Sequence, residues 1–233
     1  MADASTAWLW SPGTVPYSAA YSAMHDLAER RAAGEVPDVL FLVEHPPVYT
    51  AGRRTDPSHL LVARSEIERR GAELHDVDRG GSVTFHGPGQ LVGYPILDLG
   101  PRMDVMRYLF DVEEAVIRTC ADLGVQVGRN RDTGVWAGPK KVCAIGVRTS
   151  RGVTLHGFAL NCTTDLAWYD AIVPCGLADR GVTSLSELAG RPVSVAEARQ
   201  ALLPRFEEVF GVRLVSAPVD LLPPVDRMDP VTV

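Results

Sequence analysis

The hydrophobic pattern of the chain follows a helical period in two long segments. Residues 17–34 place apolar side chains at helical spacing and end at Gly34, which suits a helix C-terminus. The stronger pattern covers residues 104–124, where Asp104 can cap the helix and Gly124 can end it. Its apolar stripe consists of Leu109, Val112, Val116, Cys120 and Leu123. The pattern therefore predicts two amphipathic helices.

Strand-like segments lie between and after these helices. Residues 38–52 begin with a continuous apolar run, which predicts a buried strand, and continue into a loop at a Pro-Pro pair. Residues 82–100 predict a strand, a glycine-rich loop and a second strand. Residues 135–150 and 152–162 predict two strands joined by a turn. Strands therefore come in pairs rather than in strict alternation with helices.

The last quarter of the chain has two helix starts of the form Ser-x-x-Glu, at residues 184–187 and 194–197. Pro204 lies inside the second helical pattern and is expected to kink or interrupt it. The segment after Val212 is rich in proline and is expected to be extended or poorly ordered.

These elements predict an α/β (α+β) fold with a mixed β-sheet flanked by helices. We expect a single catalytic domain over residues 1–213, followed by a Pro-rich tail over 214–233.

Composition narrows the class of protein. Apolar residues make up 46% and charged residues 22% of the chain, which is typical of a soluble globular protein. No apolar run is long enough to cross a bilayer, and the first residues lack the pattern of a signal peptide. The net charge of −6 argues against broad nucleic-acid binding. We therefore expect a cytoplasmic protein with no membrane or nucleic-acid partner, and a monomer because no long apolar helix face is unexplained.

The four cysteines differ in their surroundings. They form no CxxC pair, so a zinc site is not expected. Cys120 lies on the helical stripe, and Cys143 and Cys162 lie in strand patterns, so all three are expected to be packing residues. Cys175 belongs to no amphipathic period and stands between a proline and a glycine in IVPCGL. A rigidly flanked, reachable thiol suits a covalent nucleophile.

A nucleophilic cysteine needs a base or a cation nearby. His86, His156 and Lys141 are the candidates. Strand alternation places Lys141 and Cys143 on the same, apolar face of the strand. It places Lys140 on the opposite face. A lysine held on an apolar face can act as a base near neutral pH.

Three glycine- or alanine-rich segments predict a narrow ligand slot. Residues 79–95 contain five glycines but match neither a Rossmann nor a Walker A pattern. Residues 144–146 and 157–159 put small side chains inside predicted strands, where a ligand can approach the backbone. Backbone N–H groups beside glycines can also bind an acyl oxygen.

The ordered combination of segments is more specific than any of its parts. RGGSVTFHGPGQLVGYPILDL, KKVCAIGVR, TLHGFALN, IVPCGL and VTSLSE occur in this order, roughly within residues 39–188. Together they resemble the lipoyl(octanoyl) transferase family, here with Phe85 between Thr84 and His86.

The resemblance implies roles for individual residues. It implies an acyl-thioester on Cys175, with Lys141 activating the thiol and serving as acid and base. It implies accessory roles for His156 and Asn161. The substrate-binding residues that it implies are Arg79, Gly80, Gly81, Ser82, Val83, Thr84, Phe85, His86, Ala144, Ile145, Gly146, Gly157, Phe158 and Ala159. The implied fold is that of lipoate and biotin protein ligase catalytic domains.

The resemblance also implies a reaction and its partners. The donor is octanoyl-acyl carrier protein, and the acceptor is a specific lysine on the lipoyl domains of oxo-acid dehydrogenase E2 subunits and on the glycine cleavage H protein. No cofactor or metal is expected, because the donor is already activated. The acyl-chain length stays open at this stage.

Three alternatives remain open from the sequence. An amidotransferase would pass lipoyl groups between proteins through the same kind of cysteine. A cysteine hydrolase would use Cys175 with His86 or His156. A lipoyl or acyl binding module would form no covalent intermediate.

Overall fold

The computed structural model describes residues 5–173 and 181–225. The strands are β1 (Ser5–Thr14), β2 (Val39–Glu44), β3 (Val48–Ala51), β4 (Glu73–Asp76), β5 (Val83–His86), β6 (Gln90–Ile96), β7 (Val135–Ala137), β8 (Lys140–Ser150), β9 (Val153–Asn161), β10 (Gly181–Val182) and β11 (Val212–Ser216). The helices are α1 (Tyr17–Ala32), α2 (Arg64–Arg69), α3 (Val105–Asp122), α4 (Leu185–Ala189) and α5 (Val195–Phe210).

Eight of these strands form one mixed sheet in the order β10-β8-β9-β6-β2-β1-β11, with β7 paired to β8. The centre of the sheet is antiparallel, because β2, β6, β9 and β8 each pair with their neighbour in that sense. The pairs of β1 with β2 and with β11, and the pair of β8 with β10, are parallel. A second sheet has the order β4-β3-β5.

Helices cover both faces of the large sheet, and β2 shows how one strand serves both. Its residues alternate between the two core clusters. Leu40 and Leu42 pack with α3 and α5, whereas Phe41 packs with α1. Since both faces are buried, the strand is apolar at every position except its last, Glu44.

The predicted α/β class is confirmed, as are the main helices and strands. Asp104 caps α3 by accepting a hydrogen bond from the Arg107 N–H at 2.8 Å. The expected interruption at Pro204 is wrong, since α5 runs through it to Phe210. Pro204 is exposed, so water can satisfy the carbonyl that loses its partner.

Several elements escape the hydrophobic pattern. The pattern shows neither β1 nor the strands β3 and β4, although residues 48–51 are fully buried. The segment expected to be extended after Val212 forms β11, which pairs with β1. The division into a domain at 1–213 and a tail stays a prediction. No helix within 5–173 or 181–225 is long and apolar enough to cross a membrane.

Candidate active site

A cavity of about 480 Å³ lies between the two sheets, on the α1 face of the large one. Its floor is built from β6, β8 and β9 of the large sheet, and its roof from the segment 79–86 that includes β5. The three glycine- and alanine-rich segments thus meet around one space, as the narrow slot predicted from the sequence requires.

The floor is flat because facing residues on neighbouring strands are small. Ala144 of β8 pairs with Ala159 of β9, and Gly146 pairs with Gly157. A side chain at Gly146 would meet the Arg79 Cδ at 3.0 Å and the Gly80 carbonyl at 3.2 Å. The missing side chain therefore lets the roof lie directly on the sheet. Ile145 and Phe158, from the same segments, also line the cavity.

Strand alternation divides the residues of the roof. Ser82, Thr84 and His86 line the cavity together with Arg79 and Gly81. Val83 and Phe85 lie in a separate core cluster beneath the small sheet. Gly80 lines the adjacent groove, where its N–H donates to the Val147 carbonyl at 3.0 Å. Some residues of the predicted stretch 79–86 therefore line the cavity, and the others pack behind it.

Arg79 ties the roof together from inside. Its guanidinium donates to the carbonyls of Thr50 at 2.6 Å, Ser82 at 2.8 Å and Gly80 at 3.0 Å. These bonds hold the β3 strand and the glycine segment in one arrangement. A buried cation bonded in this way also places positive charge next to the cavity.

Lys141 reaches the cavity from the start of β8. Its side chain is buried, its Nζ donates to the Thr133 carbonyl at 3.1 Å, and the ammonium lies 4.6 Å from the centre of the Trp136 ring. Glu113 of α3 holds the loop that carries Thr133, because its Oε1 accepts the Gly134 N–H at 3.0 Å. The ammonium is therefore positioned by a braced loop.

Lys140 and Cys143, the alternatives to Lys141 and Cys175, do not line the cavity. Lys140 is exposed, as strand alternation predicts. Cys143 was expected on the face of Lys141, and that expectation is wrong, because Cys143 is fully buried in the core against α3 and α5. Trp136 faces Lys141 and Val135 faces Cys143, so β8 holds one extra residue there. This bulge changes the phase of the alternation.

Asn161 acts as a brace beneath the cavity. Its amide donates to the Thr183 carbonyl at 3.0 Å, and its Oδ1 accepts from Gln90 at 2.9 Å. The Thr183 N–H in turn donates to the Lys141 carbonyl at 3.0 Å. Asn161 therefore fixes the chain that leaves Cys175 against the strand that carries Lys141.

His156 lines the cavity and belongs to a charged network. Its Nε2 lies 2.7 Å from Asp78, whose other oxygen contacts the Arg148 guanidinium. His25 lies 3.9 Å from the same carboxylate, so these three groups resemble a metal-ligand set. Arg148 already neutralises the Asp78 carboxylate, so the group is better described as an ion-pair network than as a metal site. This network anchors Asp78, the residue before Arg79.

The family model of the lipoyl protein ligase A/B catalytic domain matches residues 16–207. The chain belongs to this family. An octanoyltransferase of Rubrobacter xylanophilus is 49% identical over 203 residues, covering 86% of this chain and 91% of that protein. The resemblance inferred from the ordered segments is thereby confirmed.

Solved structures place the fold in the same group. A bi-partite lipoate protein ligase from Thermoplasma acidophilum, solved with its E2 lipoyl domain, is similar with a TM-score of 0.75. It is 21% identical and covers 91% of this chain and 87% of its own. A biotin protein ligase from Aquifex aeolicus in complex with biotin and ATP gives a TM-score of 0.53 at 13% identity, covering 88% and 70%. The predicted ligase-like fold is confirmed.

Cys175, the expected nucleophile of this family member, lies outside the described residues. The chain on both sides of 174–180 is attached to the cavity wall. The Val173 N–H donates to the His59 carbonyl at 2.8 Å, and Val182 pairs with Lys141. His59 and Lys141 both line the cavity.

The other three cysteines have the properties of packing residues. Burial raises the pKa of the Cys120 and Cys162 thiols to about 12, and it also raises the pKa of Cys143. A thiol that stays protonated is a poor nucleophile. All three lie in the core cluster that α3 and α5 form with the large sheet, as expected for packing residues.

Sequence reasoning missed a group of buried polar residues behind the cavity. His45 bridges the Val15 carbonyl and the Tyr94 hydroxyl, each at 2.7 Å. Tyr17 and Tyr94 line the cavity itself. The only signal for His45 is a histidine that ends an otherwise apolar run, and Tyr17 looks like an ordinary member of a helical stripe.

Three buried histidines predict a loss of stability in mild acid. Burial lowers the pKa of His45 to about 4 and that of His86 and His156 to about 3, against an ordinary 6.5. Below pH 6.5 these histidines bind protons in the unfolded chain but stay neutral in the folded chain. The free energy of unfolding should therefore fall between pH 6.5 and 4, by about 1.4 kcal/mol per pH unit for each ring.

Urea unfolding at a series of pH values measures this slope. The His86→Gln variant is expected to have a shallower slope than the unchanged protein, because one of the three rings is gone. A free energy of unfolding that stays level from pH 7 to pH 5 would contradict the assignment of these rings as neutral.

Proposed function

We propose that this chain transfers an octanoyl group from octanoyl-acyl carrier protein to a lysine of lipoyl domains, through a thioester on Cys175. The lipoyl domains of oxo-acid dehydrogenase E2 subunits and the glycine cleavage H protein are the acceptors. Curated relatives such as the R. xylanophilus octanoyltransferase support the acyl transfer. The donor, the acceptors and the cysteine intermediate are part of the proposal.

One observation carries the proposal: a buried lysine lies at the cavity on a strand that also holds the chain leaving Cys175. Thr183 is bonded to the Lys141 carbonyl, and Val182 pairs with Lys141 in the sheet. Residues 176–181 are all that separates Cys175 from Val182 along the chain. The lysine is thus suited to serve as the base for this thiol.

The first half-reaction forms the acyl-enzyme. The neutral amine form of Lys141 accepts the proton of the Cys175 thiol, and the sulfur attacks the carbonyl carbon of the donor thioester. Collapse of the tetrahedral intermediate breaks the bond to the carrier thiol, which takes the proton back. One thioester bond is broken and another is formed, so the exchange is nearly isoenergetic.

The second half-reaction transfers the acyl group to an amine. The acceptor lysine attacks the Cys175 thioester, and Lys141 takes a proton from the attacking amine. The amide forms as the C–S bond breaks, and Lys141 passes the proton to the departing Cys175 sulfur. The Arg79 guanidinium places positive charge beside the cavity, which favours the oxyanion. The amide is more stable than the thioester, and this difference drives the reaction.

A reconstituted assay tests the proposal. The protein is incubated with octanoyl-acyl carrier protein and a lipoyl domain, and the intact mass of the domain is measured. We expect the addition of one octanoyl group, which is absent when the acceptor lysine of the domain is replaced by methionine. Transfer only from an octanoylated protein donor would instead identify an amidotransferase.

A parallel reaction with free octanoate and ATP distinguishes transfer from ligation. The lipoate and biotin ligases that share the fold make this control necessary. Octanoylation that depends on ATP and free acid, with none from the carrier protein, would overturn the proposal.

A further inference from the structure

The cavity has an open end and a closed end. Near Lys141 its lining residues Arg131 and Thr133 are exposed to solvent. At the other side the lining residues Tyr17 and Tyr94 are each 4% exposed. An acyl group that reacts at the open end must therefore extend its chain toward the two tyrosines.

Sheet order sets the distance between these ends. Lys141 belongs to β8, and Val92 and Tyr94 belong to β6, which lies two strands away. Two strand spacings correspond to about 10 Å across the sheet, and Val92 is level with Ala144, three residues or about 10 Å along β8 from Lys141. An extended chain of eight carbons spans about 9 Å, from bond lengths near 1.5 Å. The diagonal from Lys141 to Val92 is then about 14 Å between backbones. With its carbonyl beside the Lys141 amine at the end of that side chain, an octanoyl group runs along this diagonal and ends over the floor.

Bulk alone does not stop a longer chain at that point. Eight carbons fill about 240 Å³ if each occupies roughly the volume of a water molecule. The cavity volume of about 480 Å³ is larger than this, so volume alone does not exclude a longer chain. The limit on chain length must then come from the chemistry of the closed end.

The closed end is polar, and two of its hydroxyl groups are unsatisfied by protein. Tyr94 is bonded to His45, and His86 to Gln90 at 2.9 Å. Within residues 5–173 and 181–225, the hydroxyls of Tyr17 and Thr84 have no hydrogen-bond partner, although the two residues are only 4% and 6% exposed. Burial raises the pKa of the Tyr17 hydroxyl, so it stays a neutral donor.

We propose that Tyr17 and Thr84 are specificity-determining residues that limit the acyl chain to about eight carbons by polarity instead of by bulk. The inference rests on the proposed octanoyl transfer. Water can satisfy both hydroxyls while an octanoyl group occupies the floor over Ala144, Ala159 and Val92. Chains of ten or twelve carbons would displace that water and leave each hydroxyl unpaired, at a cost of about tenfold in binding per group.

A competition experiment measures the preference directly. Equal amounts of octanoyl-, decanoyl- and dodecanoyl-acyl carrier protein are mixed with the enzyme and a lipoyl domain, and the acylated domains are counted by mass. In Tyr17→Phe the ratio of decanoyl to octanoyl product should rise about tenfold. Thr84→Val, which has nearly the same shape, should raise the ratio in the same direction, and the double variant should raise it further.

Tyr21→Phe is the matched control. It removes the same group from the same helix one turn later, and Tyr21 is half-buried outside the cavity wall. Its product ratio should equal that of the unchanged protein. Product ratios do not depend on how much of a variant is folded, so a partly unstable variant still gives a readable answer.

The outcomes separate this inference from the function on which it rests. If the unchanged protein acylates no domain from any donor, the proposed function fails. If it transfers octanoyl while Tyr17→Phe and Thr84→Val keep its product ratio, the polar limit is overturned. Should one variant fail to fold at all, an unchanged ratio in the other has the same consequence.

Discussion

Cys175→Ser is expected to form no thioester and to lose transfer by a factor of about 10⁴ or more, as is typical for removal of a covalent nucleophile. A serine hydroxyl is far less acidic than a thiol, so Lys141 cannot generate a comparable nucleophile from it. The measurement is the intact mass of the enzyme after brief incubation with octanoyl-acyl carrier protein. The unchanged protein should gain one octanoyl group.

Cys143→Ala is the matched control, because it removes a cysteine from the strand that carries Lys141. Cys143 is fully buried, and burial raises the pKa of its thiol, so its loss should affect stability rather than acylation. The variant should still gain one octanoyl group. Acylation of Cys175→Ser together with none of Cys143→Ala would reverse the assignment of the nucleophile.

The sequence was informative where local pattern and packing agree. The stripe of α3 and its cap at Asp104 are visible because the helix buries one face against a single neighbouring layer. β1 was missed because its first two residues are exposed and Pro12 and Gly13 interrupt its apolar pattern. Its place in the sheet depends on pairing with β2 and β11, which are distant in the chain.

The candidate site shows the same division. The glycine-rich segments were found because runs of glycine and alanine stand out among the larger apolar residues of a strand. The structure brings these segments to one cavity. The placement of Cys143 failed because a single extra residue opposite Trp136 changes the strand face, and no local signal marks that bulge. Tyr17 was missed because only the tertiary fold brings a helix residue over the sheet.

Lys141→Met is expected to slow acylation of the enzyme by about 10²- to 10⁴-fold, the usual contribution of a positioned acid and base. Methionine is close to lysine in length and keeps an apolar stem beside Gly134, so the fold should persist. What disappears is the ammonium that Thr133 and the Trp136 ring hold beside the cavity. Rapid mixing with octanoyl-acyl carrier protein, quenched and read by intact mass, gives the rate of acylation.

Lys140→Met is the matched control one residue earlier. Its side chain is exposed on the other side of β8, so acylation should stay within about twofold of the unchanged rate, as for most surface substitutions. Raising the pH should restore part of the rate of Lys141→Met, because hydroxide then replaces the base that ionises the thiol. Equal losses in the two variants would show that strand alternation does not place Lys140 and Lys141 on opposite faces. An unrecovered rate at high pH would show that Lys141 orients the substrate and moves no proton.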